Sequence, residues 1–378
     1  MAPTVLVDAG PWLPVPPVGY GGIENVLDTL IPALRAEGVR VVLAGVAGSS
    51  IEVDELVETF AEPQFAHVTA PYNVAMGVAH AHMTHVVRRL RAGGIDLVHD
   101  HLEVVGAAML GAMGSGAPPA LQTLHWDLAK HPDFYGAFDG GGRVAFNALS
   151  ELQLANAPEN LRRQVLAVVP LAVRVEDHPL VREKTGPFLH LSRIFRAKGQ
   201  HTAARLCRER GLRLDLAGPV AYATTPEQLA AELADPASPL HARPDVRYWL
   251  DDVRPLVDGE FVRWIGALAG PEKLDALARA RALLMPISWD EPGATAVIEA
   301  MACGTPTIGM RRGALAMLVE HGVNGFLADT EAEFASYLDR VDEIDPAGCR
   351  RVAEERFDAP VMARAYLGLY ERLLEGAA

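Results

Sequence analysis

The sequence predicts an α/β protein of two doubly wound, Rossmann-like domains facing a cleft. Short apolar runs alternate with stretches of helical periodicity, the βαβ pattern of a parallel sheet covered on both faces. The pattern restarts after residue 170. At 378 residues the chain is too long for one ordinary core and suits two.

In the first half, Thr4–Asp8 reads as a buried strand, followed by a Pro- and Gly-rich loop through Gly22. Ile23, Val26, Leu27, Leu30 and Leu34 recur at helical spacing, and Gly38 closes that helix. Further strands are expected at Val39–Ala44, Ile95–His99, Ala120–His125, Val144–Leu149 and Val165–Pro170. In the second half, strands are expected at Pro187–Ser192, Leu212–Leu216 (ending at Gly218), Phe261–Ile265, Leu283–Met285 and Thr305–Gly309. Helices are expected at Gln200–Arg210, Pro271–Arg281, from Thr295 and from Ala314. Domains are expected at 1–175 and 176–359, joined by a charged linker near Ala172–Gly186, with an amphipathic segment at 360–378 crossing back to the first domain. Such halves place their strand C-termini on one cleft.

A net charge of −14 argues against nucleic acid or a stable membrane association, so any anion site must be local. Three cysteines with no metal-ligand spacing suggest a reducing cytoplasm without a disulfide framework. The N-terminus has no basic n-region and enters a strand directly, so no signal peptide is expected and the expected location is cytoplasmic. The weakly apolar stretch Val104–Leu121 holds four glycines and two prolines; it reads as helix, loop and strand, not as a membrane span.

Four motifs carry chemistry. In Gly19-Tyr-Gly21-Gly22-Ile-Glu24, adjacent glycines before a helix let backbone N–H groups approach a ligand. Glu24 stands where the dinucleotide fingerprint needs its third glycine, which disfavours a nicotinamide cofactor; a plain helix start is an equally good reading. His99-Asp100-His101 and Leu124-His125-Trp126-Asp127 end predicted strands, where α/β sheets present functional side chains. His99 and His101 share a face that Asp100 does not; His99 reads better as a satisfied core histidine, and His125 as a hydrogen-bond donor or acid–base group. Ser192-Arg193-Ile-Phe-Arg196-Ala-Lys198-Gly199 places three cations at a strand end, which suits a diphosphate, although alone it would pass for a solvated loop. In Pro286–Gly304, Glu291 lies on a loop and Glu299 within a mostly apolar helix. Glu291 could merely stabilise the helix dipole. Glu299 needs a partner or a ligand hydroxyl.

In this order and spacing, the four pieces resemble the retaining glycosyltransferases of family four, which have the GT-B fold. The resemblance covers nearly the whole chain and is strongest over Leu189–Leu327, including Glu-Ala-Met-Ala-Cys-Gly-Thr-Pro and Glu320-His-Gly322-Val-Asn-Gly325. The Gly-Tyr-Gly-Gly-Ile-Glu opening is similar to an actinobacterial subgroup associated with sugar-decorated natural products, hence an expected place in antibiotic biosynthesis. The resemblance implies a first domain that binds acceptor and a second that binds a nucleotide-diphosphate sugar. Gly21 and Gly22 would lie near the diphosphate and acceptor, with Glu24 and His101 among the substrate-binding residues. His125 would contact the donor sugar and phosphate region. Arg193 and Lys198 would neutralise the leaving diphosphate, Gly218 would border the nucleotide, Glu291 would hold sugar hydroxyls and Glu299 the ribose hydroxyls. Gly293, Ala294 and Thr295 would line the sugar pocket. No cofactor and no metal are expected, and there is no Asp-x-Asp motif.

Three departures stand out. Gly293-Ala294 replaces the usual Phe-Gly after Glu291-Pro292, Thr295 replaces a common leucine, and Pro170-Leu-Ala172-Val lacks a common glycine. A modified sugar pocket is expected. The implied reaction is metal-independent transfer with retention to a small hydrophilic or natural-product acceptor. A GT-B epimerase or hydrolase of sugar nucleotides, and a catalytically silent sugar-nucleotide binder, remain alternatives. The base, sugar, acceptor atom and oligomeric state stay open.

Overall fold

The computed structural model describes residues 3–19 and 21–377, so Tyr20 of the glycine motif lies outside the described residues. The chain divides into two compact units, residues 1–173 with 358–378, and residues 174–357.

Unit 1 is a seven-stranded sheet of order β3-β2-β1-β4-β5-β6-β7, every pair parallel. Its strands are β1 Thr4–Asp8, β2 Arg40–Val46, β3 Glu55–Phe60, β4 Leu97–Asp100, β5 Ala120–Thr123, β6 Val144–Ala148 and β7 Val165–Val168. The helices that matter below are α1 (Ile23–Ala36), α2 (Tyr72–Arg91) and α3 (Glu103–Met113). Alternate residues of each strand enter different cores. Val5, Val7, Val41 and Leu43 pack with α1, whereas Leu6, Val42 and Ala44 pack with α2 and α3. Both faces are therefore covered, and the strands read as continuous apolar runs.

Unit 2 repeats the plan with six strands in the order β10-β9-β8-β11-β12-β13. These are β8 Phe188–Leu191, β9 Leu214–Ala217, β10 Val262–Trp264, β11 Leu283–Met285, β12 Thr307–Met310 and β13 Gly325–Ala328. Its helices include α4 (Gln200–Glu209), α5 (Gly270–Arg279), α6 (Thr295–Ala302) and α7 (Pro346–Arg356). The last helix, α8 (Ala359–Ala377), belongs to unit 1 and packs along α1. Tyr366 and Tyr370 of α8 are fully buried there.

β3 and β13 go unread from periodicity. Only one residue of β3 is fully buried, so no apolar alternation marks it, and β13 is four residues long. In each sheet the strand order reverses beside the first strand, between β1 and β4 and between β8 and β11. Open α/β sheets bind ligands at such switch points. No helix among the described residues is long and apolar enough to cross a membrane.

Candidate active site

At the switch point of unit 2, the loop after β8 (192–199) and the loop after β11 (286–294) are stitched together. Ser288 N–H donates to the Ala197 carbonyl at 2.9 Å. Gly199 has φ +78° and sits so close to Pro286 that a Cβ would lie 2.1 Å from its carbonyl oxygen, so only glycine fits. Neutral His190, buried on β8 and pushed by that burial down to about 4, contacts the Lys198 carbonyl at 2.9 Å.

With its backbone fixed in this way, Lys198 forms an ion pair with Glu291. Its ammonium also sits 5.0 Å from the centroid of the Trp289 ring. Glu291 is held from its other side: its carbonyl accepts from Ala314 N–H at 2.7 Å, and the Asp290 carboxylate accepts from Gly313 N–H at 3.1 Å. Arg193 is exposed on the same loop, its carbonyl held by Gln200 Nε2 at 2.8 Å. Arg196 is committed elsewhere, to Asp252 and the Tyr248 ring.

The partner that Glu299 requires is Lys273 of α5, at 2.6 Å. Helix α6, which carries Glu299, is anchored at its C-terminal end by two cations. Lys184 Nζ donates to the carbonyls of Ala278 (2.7 Å) and Cys303 (2.9 Å) and to Thr305 Oγ1 (2.8 Å). Arg350 donates to the Ala302 carbonyl at 2.9 Å. Burial pushes Lys184 down to about 8. Cations at this end complement the helix dipole. The N-terminal end of α6 has no side-chain cap; Val297 N–H donates to the Ala294 carbonyl at 2.9 Å, which leaves the N–H groups of Thr295 and Ala296 to an anion or a sugar oxygen. Ala294 precedes it at φ +51°, ψ +50°, the left-handed region that glycine enters freely. The backbone usual for glycine is thus retained while the residue is alanine. Gly218, at φ +143°, is required by packing: a Cβ would lie 1.9 Å from the Ser192 carbonyl oxygen.

Unit 1 carries a cavity of about 460 Å³ lined by Gly22, Glu24, His101 and His125. Gly21 does not line it; a Cβ there would lie 2.5 Å from the Pro17 ring. Glu24 is buried and its carboxyl is pushed up to about 7 by desolvation. His101 Nδ1 and His125 Nε2 are 2.8 Å apart, and burial keeps both imidazoles neutral. His101 Nε2 is buried without a partner among the described residues. An orphaned N–H is costlier than an orphaned acceptor, so His101 donates from Nδ1 and His125 carries its proton on Nδ1.

Beneath this pair, His99 is a satisfied core histidine, bonded to Tyr370 Oη (2.7 Å) and Thr123 Oγ1 (2.8 Å). Asp100 faces the other way. It lies beside Asp8 in the β1–β4 register and packs against Gly106 of α3, where a Cβ would fall 2.1 Å from its Oδ2. Burial and the Asp8 carboxylate hold Asp100 well above the carboxylate range, so it keeps its proton and hydrogen-bonds to Asp8. Asp8 in turn contacts His82 Nε2 at 2.6 Å.

Of the residues singled out in the sequence, Lys198 and Glu291 meet in unit 2, and Gly22, Glu24, His101 and His125 meet in unit 1. Lys273, Trp289, His190, Asp8 and His82 went unread. Only Trp289, two residues before Glu291, carried a local signal.

Two family descriptions match the chain: "Glycosyltransferase Family 4" over residues 20–160 and "Glycosyl transferases group 1" over residues 258–353. The chain has the two-domain fold of the GT-B glycosyltransferases and matches a glycosyltransferase family description in each unit. A solved relative, AviGT4, a glycosyltransferase involved in avilamycin A biosynthesis, is 25% identical over 99% of this chain and 98% of its own, with a TM-score of 0.64. Sucrose-phosphate synthase from Thermosynechococcus elongatus is 18% identical, with 99% of each chain covered and a TM-score of 0.75. Anabaena HepE in complex with UDP and glucose is 15% identical over 98% of this chain and 100% of its own, with a TM-score of 0.66. The last two likenesses concern the fold alone. No curated protein sequence matches the chain.

Proposed function

We propose that this GT-B glycosyltransferase moves a sugar, with retention and without a metal, from a nucleotide-diphosphate sugar to a small-molecule acceptor. The observation that carries the reading is the Lys198–Glu291 pair at the unit 2 switch point, beside the uncapped start of α6. Lys198 and the exposed Arg193 offer positive charge to the leaving diphosphate. Glu291 accepts hydroxyls of the sugar, and Glu299, oriented by Lys273, accepts those of the ribose. In the transfer, the bond from the anomeric carbon to the phosphate oxygen breaks and its electron pair leaves on the diphosphate. The acceptor oxygen bonds to the same face of the anomeric carbon, and its proton passes to the departing phosphate oxygen. Charge grows on the diphosphate, so fixed cations stabilise the transition state more than the ground state.

The bound UDP and glucose of HepE make uridine the first base to test. The likeness to AviGT4 supports a natural-product acceptor. In unit 1, Glu24 accepts the acceptor hydroxyl, and neutral His125 donates to the transferred sugar or its phosphate. The walled cavity of unit 1 favours transfer over donor hydrolysis or epimerisation, which need no second substrate site.

The reading is tested by proton NMR of the product formed from an α-linked UDP-sugar and an acceptor, with and without EDTA. An α-linked product insensitive to EDTA is expected. A β-linked product removes retention, and activity lost to EDTA and restored by a divalent ion removes metal independence.

A further inference from the structure

The unit 1 cavity combines a few polar groups with a mostly apolar lining. Glu24 and the His101–His125 pair supply the polar groups, while Trp12, Met76, Leu102, Val105 and Trp126 line the rest. Its rim is unusual for a protein surface. Eight large hydrophobic residues are exposed among the described residues, and four of them fall within ten positions: Phe65 (41%), Val68 (48%), Tyr72 (57%) and Val74 (43%). Phe65, Val68 and Tyr72 also line the cavity. Scattered exposed apolar residues need no explanation, but a cluster continuous with a cavity marks a binding surface.

The charges present restrict the occupant further. Glu103 and Lys130 neutralise each other at 2.6 Å, so neither offers a free charge. Glu24 is buried and holds its proton up to about pH 7, and an anionic ligand beside it would be repelled once it ionises. In the tautomer assigned above, the buried Nε2 of His101 is an acceptor with no donor among the described residues. A free sugar would bring many hydroxyls against walls that cannot bond them, at a desolvation cost for each. A flat ring with one or two hydroxyls matches both kinds of lining.

We propose that the acceptor is an uncharged aromatic or polycyclic compound carrying a hydroxyl, its ring held against the Trp12, Trp126, Phe65 and Tyr72 side chains, and its hydroxyl at the polar groups of the lining, Glu24, His101 and His125. This rests on unit 1 being the acceptor site, and it names the acceptor's chemical class.

The test is saturation-transfer NMR and calorimetry on the full chain with 2-naphthol, 2,7-dihydroxynaphthalene and glucose, in parallel with UDP binding followed by thermal shift. The aromatic hydroxyl compounds are expected to bind and glucose not to. Tyr72→Ala and Phe65→Ala, both at exposed positions, are expected to weaken 2-naphthol about tenfold while the UDP shift stays unchanged. Binding of glucose in preference, or of none of the three, overturns the aromatic class. Aromatic binding in a protein that binds no nucleotide keeps the cavity assignment and overturns the glycosyltransfer reading instead.

Discussion

Glu291 and Lys198 form an ion pair across the two loops that leave β8 and β11. Both side chains are mostly buried, at 14% and 15% exposure, so the pair is shielded from solvent in a way surface pairs are not. Each residue is held by its own backbone contacts, Lys198 through His190 and Glu291 through Ala314. A pair so fixed is pre-organised for a ligand that exchanges one charge for another. Lys198→Met is expected to lower kcat by about 10²–10³ with a smaller change in donor KM, because the charge it meets develops on the leaving group. Glu291→Gln is expected to raise donor KM as well. Steady-state kinetics with varied donor checks both; a Lys198→Met enzyme changed only in KM would show that the cation merely binds.

Ala294 holds a left-handed backbone that suits glycine. Replacing it removes a strain of about 1–2 kcal/mol, partly offset by the greater freedom of glycine in the unfolded chain. Ala294→Gly is therefore expected to raise stability by up to about 1 kcal/mol in urea unfolding. A loss of stability would mean that the methyl makes packing contacts that outweigh the strain. Gly293→Phe with Ala294→Gly restores the usual family pair and is expected to shift donor-sugar preference.

Glu24 gives a pH signature with a definite sign. Its carboxyl is near pKa 7 when folded and 4.5 as the free side chain, so the folded state holds the proton more tightly. Its contribution to stability is complete below about pH 4.5, falls as pH rises to about 7, and is flat above. Glu24→Gln should match wild type at pH 4.5 and be more stable at pH 8 by on the order of 2–3 kcal/mol. Chemical unfolding across this range checks it. The same group should make kcat/KM for the acceptor rise through about pH 7, a rise absent from Glu24→Gln.

Gly106→Ala is expected to destabilise unit 1 by at least about 2 kcal/mol, since the methyl would fall on the Asp100 carboxyl beside the protonated contact to Asp8. Thermal unfolding checks this. The penalty should shrink in the Gly106→Ala, Asp100→Ser double variant, where the clash is relieved.

How much of this was legible in the chain follows from what each feature depends on. The paired parallel sheets were readable because strands buried on both faces leave apolar runs such as Val5–Val7 and Leu283–Met285. Strand β3, with one buried residue of six, leaves none. Glu299 announced its need for a partner because it is a charge in an apolar helix, but the partner is Lys273, on a different helix, and spacing cannot name it. Asp8 and His82 are 74 positions apart and meet only once α2 packs on the sheet. The positive φ of Ala294 is invisible without coordinates, although the missing glycine at that position pointed to it.

A thermal-shift titration of wild type and Glu299→Ala with UDP, GDP, ADP and dTDP, with and without EDTA, bears on the donor site in unit 2. One nucleotide should raise the melting temperature by mass action, insensitive to EDTA, and the shift should be lost in Glu299→Ala. No shift with any nucleotide, or an undiminished shift in the variant, would contradict the placement of the donor at Lys198, Glu291 and Glu299.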